Sequence, residues 1–220
     1  MSTTFQPFGL KPVYHPSGLD RAVPFIGTNT YTPGSTYTAP YSLSSGQSFW
    51  QFQPVAITST GQLTIANQAA ASGKVYGVFD GIEYTNSDGR RSVAKYAAKT
   101  TLDASTTLVF WIFADPALVS EAQINGSATT GAIGTSYNLD TTTGSTVTDG
   151  YSIGNGGAGF STTALLATAV GSGVQGQVRV VGLGREVAYP SGQLNQWGDA
   201  FTIVQVQISN NQFAAPSVSV

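Results

Sequence analysis

Short runs of β-branched and aromatic residues, separated by glycine, asparagine and aspartate turns, recur from residue 49 almost to the end of the chain. Alternation with a period of two puts one side chain in the core and the next in water, which a helix cannot do. The first run is Phe49-Trp50-Gln51-Phe52-Gln53-Pro54-Val55-Ala56-Ile57, read as one strand. A turn at Ser59-Thr60-Gly61 returns it through Gln62-Leu63-Thr64-Ile65. Residues 74–84 predict a strand with a bulge at a glycine, and Asn86-Ser87-Asp88-Gly89 predicts a tight hairpin back through residues 91–96. Thr107-Leu108-Val109-Phe110-Trp111-Ile112-Phe113 is unbroken, which predicts a strand buried on both faces, ending at Asp115-Pro116.

The second half continues in the same manner. Residues 117–124 alternate, with Val119, Glu121 and Gln123 on one face and Leu118, Ala122 and Ile124 near the other. Long Gly/Thr-rich loops are expected around residues 126–175. Residues 178–183 and 201–208 read as the last strong strands; in the latter, Ile203, Gln205 and Gln207 oppose Val204, Val206 and Ile208. Composition supports strands over helices: charged residues are 9%, against about 25% in ordinary soluble proteins, and the only glutamates are Glu83, Glu121 and Glu186. The expected fold is all-β, an antiparallel β-sandwich or barrel of jelly-roll-like kind over residues 49–220.

Residues 1–48 differ. Pro7, Pro12, Pro16, Pro24, Pro33 and Pro40 are interleaved with Phe5, Phe8, Tyr14, Phe25, Tyr31, Tyr37 and Tyr41. Proline removes amide donors and is excluded from helix interiors and central strands, so this segment is expected to run as an extended N-terminal arm. Its aromatics need a surface to lie on: the chain's own body, a sister subunit or another protein.

No constellation for catalysis emerges. The single histidine, His15, sits between Tyr14 and Pro16, and there is no cysteine, so neither a nucleophilic triad nor a His/Cys metal site can be assembled. His15 is expected to be a packing or hydrogen-bonding residue. Asp80 and Glu83, three apart on a strand, are expected on opposite faces, and Asp140 and Asp149 are expected to be turn residues. Gly154-Asn155-Gly156-Gly157-Ala158-Gly159 matches GxGxxG but lacks the strand, helix and following acid that a dinucleotide site needs. A net charge of −2 leaves no basic surface for phosphates; Arg90, Arg91, Lys95 and Lys99 read as the solvated face of a hairpin. The expectations are no enzyme activity, no cofactor, no metal, no nucleic acid and no membrane partner. With no leader-like apolar run and no cysteine, synthesis in a reducing cytoplasm is expected.

Several segments are similar to known proteins. Phe5-Gln6-Pro7-Phe8-Gly9-Leu10-Lys11-Pro12, then His15-Pro16-Ser17-Gly18-Leu19-Asp20-Arg21-Ala22, resembles the opening of virion structural proteins of tailed bacteriophages and cyanophages. So do residues 75–84 with Asp88-Gly89-Arg90-Arg91, Phe113-Ala114-Asp115-Pro116, and Asn195-Gln196-Trp197-Gly198-Asp199-Ala200-Phe201. The resemblance implies a head-decoration, or cement, protein on the capsid exterior, with the major capsid protein as partner. Such a role implies a homo-oligomer, a trimer first and a dimer second. The residues expected at protein interfaces are Phe5, Phe8, Leu10, Tyr14, Phe25, Tyr31, Trp197 and Phe213. The alternative is a phage tail or host-receptor module that binds glycans, with Trp197 as the exposed stacking residue and Trp50 and Trp111 in the core.

Overall fold

The computed structural model describes residues 7–16, 18, 21–28, 39–66, 73–140, 161–185, 187, 188 and 193–213. The fold is nearly all β, with 45% of the described residues in strands against 5% in helix, as a turn-rich chain poor in helix formers requires. The strands of the first half are β1 (Lys11–Tyr14), β2 (Val23–Thr28), β3 (Ser48–Trp50), β4 (Pro54–Ile57), β5 (Leu63–Ile65), β6 (Gly77–Thr85), β7 (Arg91–Ala94) and β8 (Tyr96–Ala98). A short helix, α1 (Lys99–Asp103), leads into β9 (Thr107–Phe113). Then follow β10 (Val119–Gln123), β11 (Ser136–Tyr137), β12 (Leu139–Asp140), β13 (Ala164–Leu165), β14 (Val178–Leu183), β15 (Val187–Ala188), β16 (Gln193–Leu194) and β17 (Ile203–Ile208).

Two antiparallel sheets dominate. The first has the order β1-β10-β17-β14-β11, and the second β2-β9-β6-β4-β5, with β7 also on β6. Apart from β1, each sheet is drawn from one half of the chain. The second sheet wraps an aromatic core in which Phe49 lies 5.5 Å from both Phe79 and Phe110, surrounded by Val55, Leu63, Ile82, Leu102, Leu108 and Ile112. Residues 39–42 span the gap between its edges. Ser42 donates to the Leu63 carbonyl, Leu63 donates to the Pro40 carbonyl, and Pro40 packs so tightly on Gly27 of β2 that no Cβ fits there. The sheet therefore curls into a partly closed barrel. The first sheet packs its inner face on a second core that includes Leu10, Ala122, Val178, Val180, Val204 and Val206.

The run over 49–57 is not one strand. It breaks between β3 and β4 at Phe52, whose φ of 65° places a non-glycine residue in the left-handed region. Gln53, fully buried, explains the break: its side-chain oxygen accepts the Trp50 amide at 3.0 Å, and its own amide donates to the Trp50 carbonyl at 3.1 Å. The chain turns there, so β3 pairs with β8 while β4 pairs with β5 and β6.

The bulge read in residues 74–84 is present: the β6–β9 register slips between Phe79 and Gly81. It overturns the expectation for the two acids nearby. The extra residue resets the alternation, so Phe79 and Ile82, three apart, both point into the same core. Asp80 and Glu83 consequently lie on the same, outer side, the first paired with Lys95 at 2.8 Å and the second with Arg91. β9 also differs from its reading. Leu108, Phe110 and Ile112 are fully buried, whereas Val109, Trp111 and Phe113 on the other face are only half-buried. Asp140 lies in β12, buried, and accepts a bond from Asn125 at 3.0 Å, so it is no turn residue. Asp149 and residues 154–159 lie outside the described residues. The hairpin turn is as read: the Asn86 amide donates to the Arg90 carbonyl, and Gly89 supplies a φ of 82°.

The described part of residues 1–48 is extended and lies on the chain's own sheets. β1 and β2 are edge strands, and Leu10, 1% exposed, belongs to the core. Gly9, at a φ of 78°, sits where a Cβ would come within 2.2 Å of the Phe52 carbonyl oxygen. Replacing it forces a strained backbone against a fixed carbonyl. Gly9→Ala is expected to cost about 3 kcal/mol or more. Gly89→Ala, in open space at a similar φ, is expected to cost about 1 kcal/mol. Equilibrium urea denaturation of both variants checks this; equal losses would contradict the seating of the chain start on residue 52.

Candidate functional site: a cleft on the outer face of the first sheet

With Ala122, Val204 and Val180 committed to the core, alternation turns their neighbours outward. Across four strands the register aligns Lys11, Glu121, Gln205 and Gly182 in one row on the outer face. Two bulges flank this row. In β1 the register slips between Pro12 and Tyr14, making Val13 the extra residue. In β14 it slips between Val180 and Gly182, making Val181 the extra residue. Bulged residues re-aim side chains, and here Val13 and Val181 both reach the surface.

Between the bulges lies a cleft of about 710 Å³. Val13 and Tyr14 form one wall, Val181 and Arg185 the other, and Val119, Glu121 and Gln205 the floor. Tyr14 is 58% exposed, whereas Glu121 is only 3% exposed although it faces outward. The Arg185 backbone amide donates to Glu121 Oε1 at 2.7 Å. Among the described residues no other donor reaches this carboxylate.

Each wall is fixed from behind. Leu10 anchors the start of β1 in the core. Beyond its end, His15, also buried, lies 2.9 Å from Asp115 through Nε2, as its reading as a hydrogen-bonding residue requires. Asp115 Oδ1 accepts the Ala117 amide at 2.8 Å. That backbone bond, assisted by the bond and charge of His15 against a smaller opposing effect of burial, holds the Asp115 carboxyl below the usual aspartate range. The opposite wall is set by Asn195. Its amide donates to the Gly184 and Ile203 carbonyls at 2.9 and 2.7 Å and its oxygen accepts the Ile203 amide at 3.0 Å. Arg185 follows directly.

Of the described residues expected at interfaces, the structure brings Tyr14 to this cleft and disperses the others. Phe5 and Tyr31 lie outside the described residues. Leu10 packs within its own chain, Phe8 is half-buried, and Phe25 is half-buried edge-on to Phe110. Trp197 packs half-buried against the core. Phe213 is 75% exposed, its ring edge-on to Tyr76 at 5.5 Å. Trp50 is buried as expected, but Trp111, half-buried, donates to Glu83 at 3.2 Å on the outer face of the second sheet. Glu121, Val181 and Arg185 were missed as site residues. The available signal was one of only three glutamates placed within an alternating strand, and a glycine at 182 following a valine-rich run.

Four ion pairs form on and beside the second sheet. Arg90 meets Asp88, Arg91 meets Glu83, Lys95 meets Asp80, and Lys99 meets Asp103. Among the described residues no three His, Asp or Glu side chains gather as a metal site requires, and no helix is long and apolar enough to cross a membrane. Comparison of the chain with family models, curated proteins and solved structures finds no match.

The Asp115 contact carries a pH dependence of definite sign. A carboxyl whose folded pKa is lowered adds stability above its ordinary pKa, and that stability is lost as pH falls through the lowered value. Asp115→Asn is therefore expected to lower Tm at pH 7 and to flatten the fall in Tm between about pH 5 and pH 2. An unchanged acid limb in the variant would remove this contact as a holder of the β1 wall.

Proposed function

We propose that this chain is a non-enzymatic structural protein of a phage particle, bound to the outside of the capsid as a cement or decoration protein. The observation that carries the adhesive part is the cleft. A single chain leaves Val13, Tyr14 and Val181 in water around a nearly buried carboxylate. Exposed apolar side chains around a concave floor suit a surface completed by a partner. The assignment to the phage head rests on the resemblance carried by residues 5–22, 75–91, 113–116 and 195–201.

The low charge density gives this reading its physical character. With 9% charged residues, and four of its nine lysines and arginines paired with carboxylates, attachment relies chiefly on shape and apolar contact rather than on long-range charge. A protein that binds only the assembled shell stabilises that shell by mass action. Repetition over a symmetric lattice lets modest affinity at each site add up.

Two measurements test the proposal. Quantitative mass spectrometry of purified particles should find on the order of hundreds of copies per virion, as a symmetric shell offers; a few copies would assign the chain to a tail. Washing in about 1 M NaCl should leave the protein attached, since screening at that ionic strength removes mainly long-range charge attraction. Quantitative release would overturn the adhesion mechanism.

A further inference from the structure

We infer that the cleft on the first sheet is a receptor for one basic side chain of the partner protein, and that Glu121 is the residue that recognises it. The inference rests on the adhesive reading and adds the chemistry of its partner. Glu121 is 97% buried by the fold yet lines the cleft. Its Oε1 is tied to the Arg185 amide at 2.7 Å, which fixes the carboxylate in one orientation, and among the described residues no donor reaches its Oε2. A carboxylate held this way has already lost most of its solvation and its rotamer freedom. The approach of an ammonium or guanidinium group restores the missing partner at little further ordering cost.

The walls fit the rest of such a side chain. Val13, Val119 and Val181 offer apolar contact along a methylene stem. Tyr14, more than half exposed, offers a ring face near the cleft for the cationic end. Gln205 shares the floor with Glu121, opposite it in the register, and provides an amide oxygen as a second acceptor. Gly182, next in the same row, carries no side chain, and the Gln205 amide oxygen lies over it, 3.4 Å from where a Cβ would stand.

The geometry also limits what else can enter. The open edge of β1 bears Lys11, Pro12 and a bulge, three features that oppose addition of a partner strand. Recognition therefore falls to a side chain reaching into the cleft. Arg185 is exposed at the wall, so a run of adjacent cations is repelled. The ligand is a single lysine or arginine flanked by apolar or acidic residues.

The test uses the whole protein and two defined probes, the capped tripeptides Val-Lys-Val and Val-Gln-Val, followed by amide chemical shifts. The lysine peptide should shift the amides of Tyr14, Glu121, Val181 and Arg185 in a saturable way, and at least about 10-fold more tightly than the glutamine peptide. Glu121→Gln keeps an acceptor for the Arg185 amide and should abolish that preference without changing the melting temperature by more than a few degrees. Tyr14→Ser, at an exposed wall, should weaken the lysine peptide while leaving the fold intact. Equal binding of both peptides, or an undiminished preference in Glu121→Gln, overturns the inference. Particle copy number is independent of this result, so a cleft indifferent to lysine on a protein present in hundreds of copies refutes the recognition chemistry alone.

Discussion

The arrangement of both sheets depends on a four-residue junction at residues 50–53. Phe52 takes a left-handed conformation, which is costly for an aromatic residue and persists only where the surroundings over-determine it. They do so here. The Phe52 amide donates to Phe79 of β6, its carbonyl accepts the Leu10 amide, the Phe79 amide donates to the Gln53 carbonyl, and the Ser161 amide donates to the Gln51 carbonyl. Through these bonds the chain start, the central strand of the barrel and a segment of the second half meet at one point. The junction turns what would be one long strand into two, and it places Gly9 and Leu10 so that β1 can run along the first sheet.

That dependence explains which parts of the fold were legible in the sequence. Hairpins such as Asn86–Gly89 and strands such as residues 178–183 follow from local turn chemistry and alternation and appear where the pattern places them, while the strand read over 201–208 begins at Ile203. The bulge in β6 was visible from a glycine inside a strand. The break at Phe52 was not, because nothing in Trp-Gln-Phe-Gln marks a left-handed residue; the cause is a buried glutamine that satisfies the turn from within. Likewise the arm's extended backbone followed from its prolines, but its docking on β9 and β10 depends on partners about a hundred residues away, such as Asp115 for His15.

The candidate site divides along the same line. Tyr14 stood out as an aromatic in a segment too apolar to be free in solution. Glu121 did not stand out, since its alternation predicts only that it faces away from the core. Its burial is a tertiary effect: neighbouring strands and the Arg185 backbone enclose it. Scarcity of charge was the indirect clue. In a chain with three glutamates, one of them retained on a strand buried along its whole length is an unusual placement, and a buried carboxylate has a desolvation cost that only a compensating interaction offsets.

The two bulges that wall the cleft have a consequence for how this surface can change over generations. A residue in a regular strand is constrained twice, by its ladder partner and by its neighbours across the sheet. An extra residue in a bulge has no opposite partner, so Val13 and Val181 can be exchanged for other side chains without disturbing register or core. The floor, by contrast, is locked to the ladder through the Glu121–Gln205 pair. The cleft thus joins a base fixed by the ladder to lips whose side chains the fold leaves open to exchange.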